Sequence, residues 1–151
     1  MTAQIDSGDW REHLFEKPEQ IKQLLENTRR IAVLGIKPNA DAPACYVPEY
    51  AQRAGYEIVP VPVYYKELTE MAGEKVYRKL TDIPGAIDMV NIFRRPVDIP
   101  QHVDDMIAKR PKSVWFQLGI RNEEAAERLA RAGIDVVQDH CLLVELRRIG
   151  K

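Results

Sequence analysis

Ile31-Ala32-Val33-Leu34-Gly35-Ile36-Lys37-Pro38-Asn39 is the stretch from which the rest of this chain is best read. Its four leading apolar residues have the length and composition of a strand buried on both faces, and such strands belong to parallel sheets. Gly35 ends the run, and the eleven residues 36–46 follow neither a strand nor a helix period. Strand-to-helix connections usually take about 2–6 residues, so a longer one asks for a reason. Open α/β sheets build phosphate sites this way: glycine lets the backbone approach a ligand, and the first turn of the next helix offers free N–H groups. A ligand loop after Gly35 is the expectation.

Upstream, Pro18 opens a helix carrying Ile21, Leu24 and Leu25 and leading into this strand, while residues 1–16 form a polar arm whose Trp10, Leu14 and Phe15 are placed to dock on the body. Downstream, Pro48 is tolerated in a first helical turn, which predicts a short helix over 46–54 closed by Gly55. Strands follow at 56–61, 86–93, 113–117 and 134–138, with an irregular segment over 62–84. Asp98 is the expected N-cap of a helix with Pro100 in its first turn that reaches Lys109, and Asn122 caps another that Gly133 ends. A last helix is expected over 141–148. Short apolar strands alternating with helices predict an α/β, Rossmann-like three-layer fold with a mainly parallel five-stranded sheet and right-handed crossovers, residues 17–151 making one domain.

The chain has 151 residues, enough for one domain that needs no disulfide or metal to fold. Its 22 Lys+Arg nearly balance 23 Asp+Glu, so no global field draws it to nucleic acid or an anionic membrane, and any anion site has to be local. Cys45 and Cys141 lie far apart without metal-ligand spacing, which fits a reducing, cytoplasmic location. Neither a signal peptide nor a membrane span is expected.

In sheets of this kind the ligand lies beyond the carboxyl ends of the strands. The segments there, Gly35-Ile36-Lys37-Pro38-Asn39, Pro60-Val61-Pro62-Val63-Tyr64-Tyr65-Lys66, Phe93-Arg94-Arg95-Pro96, Gln117-Leu118-Gly119-Ile120-Arg121 and Gln138-Asp139-His140-Cys141, hold prolines, glycines, amides and basic residues. The opposite connections read as ordinary turns. Gly35 and Lys37 suit phosphates, Arg94 and Arg95 leave a buried strand where a guanidinium can grip a phosphate bidentately, and the proline-rich second loop suits an apolar or amide part. Nucleotides and CoA both have these parts. NAD fits less well, because no glycine follows Gly35 before Gly55 and Pro60-Val61-Pro62 stands where an acid would hold the ribose. A bulky side chain at Gly35 is expected to close the site and leave the fold intact.

Several segments, in this order and spacing, carry a resemblance: Ile31-Ala32-Val33-Leu34-Gly35, Tyr46-Val47-Pro48-Glu49-Tyr50, Asp88-Met89-Val90-Asn91-Ile92-Phe93-Arg94-Arg95-Pro96, Trp115-Phe116-Gln117-Leu118-Gly119 and Val136-Val137-Gln138-Asp139-His140-Cys141. From Pro18 onward the chain resembles the small stand-alone CoA-binding domain proteins, which look like the N-terminal CoA-binding domain of the succinyl-CoA synthetase alpha subunit. That resemblance implies CoA or an acyl-CoA as ligand, phosphate contact by the loop after Gly35 (Ile36, Lys37, Asn39), adenine and ribose contact near Pro60, Val61, Pro62 and Tyr64, and a wall from Phe93 through Arg94 and Arg95 to Pro96. The chain departs from the family at Ile36, where a small polar residue is common, and at Pro62-Val63, where Asn-Pro is usual.

Each candidate also has an ordinary reading. Gln117 can satisfy loop backbone groups, Gly119 can serve a positive φ, and Cys141 can be a small buried residue as readily as a nucleophile or a thiol partner of the pantetheine arm. No catalytic triad or metal site assembles from His13, His102 and His140. Three functions stay open: a non-catalytic or regulatory CoA binder, an enzyme or subunit of acyl-CoA or nucleotide metabolism, and an interaction module that has lost the ligand.

Overall fold

The computed structural model describes residues 8–151; residues 1–7 of the predicted arm lie outside the described residues. Five parallel strands, β1 (Arg30–Leu34), β2 (Glu57–Val61), β3 (Met89–Ile92), β4 (Ser113–Phe116) and β5 (Asp135–Val137), form one sheet in the order β2-β1-β3-β4-β5. The alternation of their side chains divides the core in two. Ala32, Leu34, Val90, Ile92, Val114 and Phe116 face α3 (Pro100–Lys109) and α4 (Glu123–Arg131). Ile31, Val33, Met89, Trp115 and Val137 face α1 (Pro18–Glu26), α2 (Pro43–Arg53) and α5 (Leu142–Arg148). This is the three-layer, Rossmann-like arrangement that the strand and helix pattern predicts. No helix among the described residues is long and apolar enough to cross a membrane.

Helix α2 starts earlier than the sequence suggests. Pro43 takes the first helical position, and Pro48 lies buried inside the helix. A proline there leaves the carbonyl four residues back without its helical donor. In this fold the carbonyl of Ala44 takes the backbone N–H of Lys37 instead, at 3.1 Å. The proline therefore ties the loop after β1 to the helix, and the connection shortens to residues 35–42. Asp98 is also not the cap of α3: Ile99 holds that place, and Asp98 sits in a 3-10 turn, Pro96–Asp98, where it pairs with arginines instead. Asn122 does cap α4, its side chain accepting from the Ala125 N–H at 2.9 Å.

Sheet order decides where a ligand can go. β1 leads through α2 to β2 on one side, and the chain then crosses back past β1 to β3 on the other. That crossover contains a small hairpin (Glu70–Met71 with Glu74–Lys75) and a 3-10 turn (Leu80–Asp82) rather than a long helix. The order reverses between β1 and β3, and the crevice beyond their carboxyl ends is where sheets of this type bind ligands. At the far edge, the N-terminal segment covers β5: the Phe15 N–H donates to Val136 O at 2.8 Å, and Arg131 lies 5.1 Å from the Trp10 ring.

Candidate functional site

Gly35 ends β1 with φ +91, a conformation L side chains rarely adopt, and its N–H donates to Val61 O at 2.9 Å. A Cβ built there would stand 2.3 Å from the carbonyl oxygen of Phe93. The neighbouring strand end alone is therefore close enough to require glycine here. This overturns the expectation for a bulky residue at Gly35, which would force β1 and β3 apart. Ile36 turns its side chain into the core beside Val33 and Val47.

Beyond this junction lies a cleft of about 170 Å³ that brings Gly35, Ile36, Lys37, Phe93, Arg94 and Arg95 together with Val63, Tyr64 and Asp98. Next to it, on the α3 side of β1 and β2, is a second cavity of about 480 Å³ that Val61 and Pro62 line with Leu34, His102 and Asp105. Val63 borders both. Pro60 belongs to β2 itself, and its carbonyl accepts from Tyr77 N–H at 3.0 Å. Asn39 receives the Tyr65 hydroxyl at 3.2 Å, which joins the loops after β1 and β2.

Arg94 stands between the two cavities. Its side chain is 10% exposed, its Nε donates to His102 Nε2 at 3.2 Å, and its guanidinium lies 5.9 Å from the Tyr64 ring. Asp98 Oδ2 is 3.9 Å from one Nη atom, beyond hydrogen-bond reach, and neither Nη atom has a hydrogen-bond partner among the described residues. Arg95 is the reverse case: it is exposed and gives its Nε to Asp98 at 2.8 Å. That hydrogen bond, with the charges of Arg95 and Arg94 behind it, holds the Asp98 carboxyl below its usual value.

His102 is held below the usual imidazole value by burial and then by the positive charge of Arg94, with Asp105 and Asp98 opposing. A neutral ring is also what the geometry needs, because Nε2 accepts from Arg94. As the pH falls, the unfolded chain protonates this histidine near its ordinary value of about 6.5, before the native protein does. Stability is thus full above that value and is lost as the pH drops towards the lowered native one. Melting curves at about pH 7.5 and about pH 5.5 should show a larger loss for the wild type than for His102→Gln; an equal loss would disprove the assignment.

Gln117, Gly119 and Cys141 line neither cavity. Gln117 Oε1 accepts from the Leu142 N–H at 3.3 Å at the start of α5, and the Gly119 N–H donates to Asp139 at 2.6 Å. Cys141 is the half-buried N-cap of α5, and His140 Nδ1 lies 2.6 Å from the Gln138 carbonyl. These contacts fasten the loops after β4 and β5 to each other. Pro96 gives its carbonyl to Asn122 Nδ2 at 2.9 Å. The sequence places Lys66 in the ligand-edge segment after β2 and reads His102 only as a helix histidine; Arg78 and Lys79, which line the second cavity with them, are not among its candidates. His102 carried one signal, a place in the first turn of the helix after β3, whereas Arg78 and Lys79 lie in a crossover with no periodicity to orient them.

A glycine-ended central strand, a switch-point cleft and a largely buried arginine beside it define a Rossmann-like α/β protein with basic side chains at its carboxyl edge. Residues 29–147 match the family model described as CoA binding domain, and the chain belongs to that family. It is 36% identical over 125 residues to the Bacillus subtilis protein YneT, covering 83% of this chain and 90% of that one. A solved Thermus thermophilus structure, cell-free ID.343, is 35% identical with a TM-score of 0.82, over 89% of this chain and 99% of that one. The dinucleotide-forming acetyl-coenzyme A synthetase 1 of Ca. Korarchaeum cryptofilum, solved with phosphate and ADP, shares the fold at 22% identity and a TM-score of 0.64; the match spans 76% of this chain and 26% of that one.

Proposed function

We propose that this protein binds CoA or an acyl-CoA at the carboxyl edge of its sheet, as a non-catalytic or regulatory binder. The observation that carries the proposal is Arg94, a cation nine-tenths buried whose Nη donors have no hydrogen-bond partner among the described residues and which lines the cleft beside Gly35 and Lys37. Asp98 at 3.9 Å offsets part of the Arg94 charge, but buried donors without a hydrogen bond are costly, and a pyrophosphate in the cleft supplies charge-assisted acceptors. Membership of the CoA-binding domain family favours CoA over other nucleotides. So does Pro62, which stands near the position where a dinucleotide site of this fold carries an acid for the ribose.

Among the described residues that line the cleft, none forms a nucleophile–base pair, and the binder reading asks for none. His102 Nε2 is occupied by Arg94, and the half-buried Cys141 lines neither cavity. Thermal-shift measurements with CoA, acetyl-CoA, NAD and ATP in parallel test the reading. CoA at ~100 times its Kd should add about 2.7 kcal/mol of stability, and acetyl-CoA incubated with stoichiometric protein should be recovered intact. No response to CoA, or turnover of acetyl-CoA, would contradict it.

A further inference from the structure

Arg94 has a carboxylate and an imidazole beside its guanidinium, and it engages the weaker acceptor. Its Nε donates to His102 Nε2 at 3.2 Å, while Asp98 Oδ2 stays 3.9 Å from an Nη atom. A hydrogen bond to an ionised acceptor is roughly twice as strong as one to a neutral acceptor, so an unrestrained guanidinium would close on Asp98. Its neighbours oppose that movement. Arg95 Nε already occupies Asp98 Oδ2 at 2.8 Å. His102 is anchored in the first turn of α3, where its backbone N–H donates to the Ile99 carbonyl at 2.9 Å, and from there its ring holds Arg94 by Nε. The effect on Arg94 is geometric. A guanidinium is planar with its N–H groups in a fixed fork, so a hydrogen bond at Nε sets the direction of both Nη atoms. The Tyr64 ring, 5.9 Å from the guanidinium carbon, stands at the limit of a cation–π contact. The Nη edge has no hydrogen-bond partner among the described residues, and it is the edge that grips a phosphate with two parallel hydrogen bonds.

Resting on the CoA reading above, we infer that His102 is a positioning residue: it holds Arg94 away from Asp98 and keeps the Nη edge of the guanidinium available to the ligand's pyrophosphate. His102 lines the second cavity, with Leu34 and Val61, and does not line the cleft that Arg94 shares with Gly35 and Lys37. It therefore acts on the ligand through Arg94. The contact also fixes a proton: because Nε2 accepts, a neutral His102 carries its hydrogen on Nδ1. A side chain that cannot accept at this place releases Arg94 to Asp98, and an ion pair there takes up a donor that the ligand needs.

CoA titrations of the wild type, His102→Leu, His102→Gln, Arg94→Met and the His102→Leu/Arg94→Met double variant test the role. Leucine suits the apolar neighbours Leu34 and Val61 and is a good helix former, so the fold should be retained, as melting curves would show. It accepts no hydrogen bond, and CoA affinity should fall about tenfold. Glutamine puts an amide oxygen near the place of Nε2 and should stay within about twofold of the wild type. In the Arg94→Met background, His102→Leu should cost nothing further, as expected of residues that act through one contact. Nitrogen-15 spectra of the wild type without ligand should show neutral His102 protonated on Nδ1. Wild-type affinity in folded His102→Leu, an equal loss in His102→Gln, additive losses in the double variant, or a proton on Nε2 would overturn the positioning role while leaving the CoA site standing. No binding of CoA by the wild type would overturn both.

Discussion

Gly35→Ala is expected to lower the melting temperature by about 6–12 °C. Two costs combine. Alanine at φ +91 has its Cβ in a region that L residues enter at about 1–2 kcal/mol, and that Cβ meets the Phe93 carbonyl oxygen at 2.3 Å, where the clash is with backbone and no side chain can turn away. Overpacking of this kind costs about 1–3 kcal/mol. A total of about 3 kcal/mol, at about 2–4 °C per kcal/mol for a chain of this length, gives the stated drop. Gly119→Ala is the matched control: its φ is +83, but nothing lies within 4 Å of the added Cβ, so it should show the conformational cost alone. Equal losses in the two variants would show that the junction between β1 and β3 is not as tight as the geometry requires.

Arg94→Met should have the largest effect on ligand binding while keeping much of the buried volume. Truncating one partner of a desolvated, hydrogen-bonded charge pair costs about 2–5 kcal/mol, so CoA affinity should fall by ~30-fold or more. An independent reporter accompanies it. Arg94 is the second cause, after burial, of the lowered His102 value, so the histidine resonance of the variant should titrate at higher pH than in the wild type. Unchanged CoA affinity in a folded variant with the shifted histidine would place the pyrophosphate elsewhere.

The strands were legible because each is a short apolar run flanked by turn residues, and the parallel sheet followed from the α/β alternation. The start of α2 was not. The rule that excludes proline from helix interiors assumes an orphaned carbonyl, and here the Lys37 N–H, from a residue outside the helix, satisfies Ala44. Asp98 had the chemistry of a cap, but two arginines three and four residues before it compete for the carboxylate.

Gly35 illustrates a different limit. The sequence marks a position where the backbone is approached closely and does not say by what; only the fold shows that Phe93 is the neighbour. Arg94 and His102 stand eight residues apart, a separation that carries no signal across a strand end and a helix start, yet they meet in a hydrogen bond between the two cavities. Gln117 and Gly119 had the residue types of a pocket and serve the loops after β4 and β5 instead. A short list of residue types at one sheet edge therefore does not divide cavity-lining residues from those that fasten loops.

A calorimetric titration of the full chain with CoA, followed by NAD under the same conditions, tests the central claim most directly. The account predicts saturable binding of one CoA per chain and a much weaker or undetectable NAD isotherm. No heat and no saturation with CoA at millimolar concentration, or tighter binding of NAD, would contradict it.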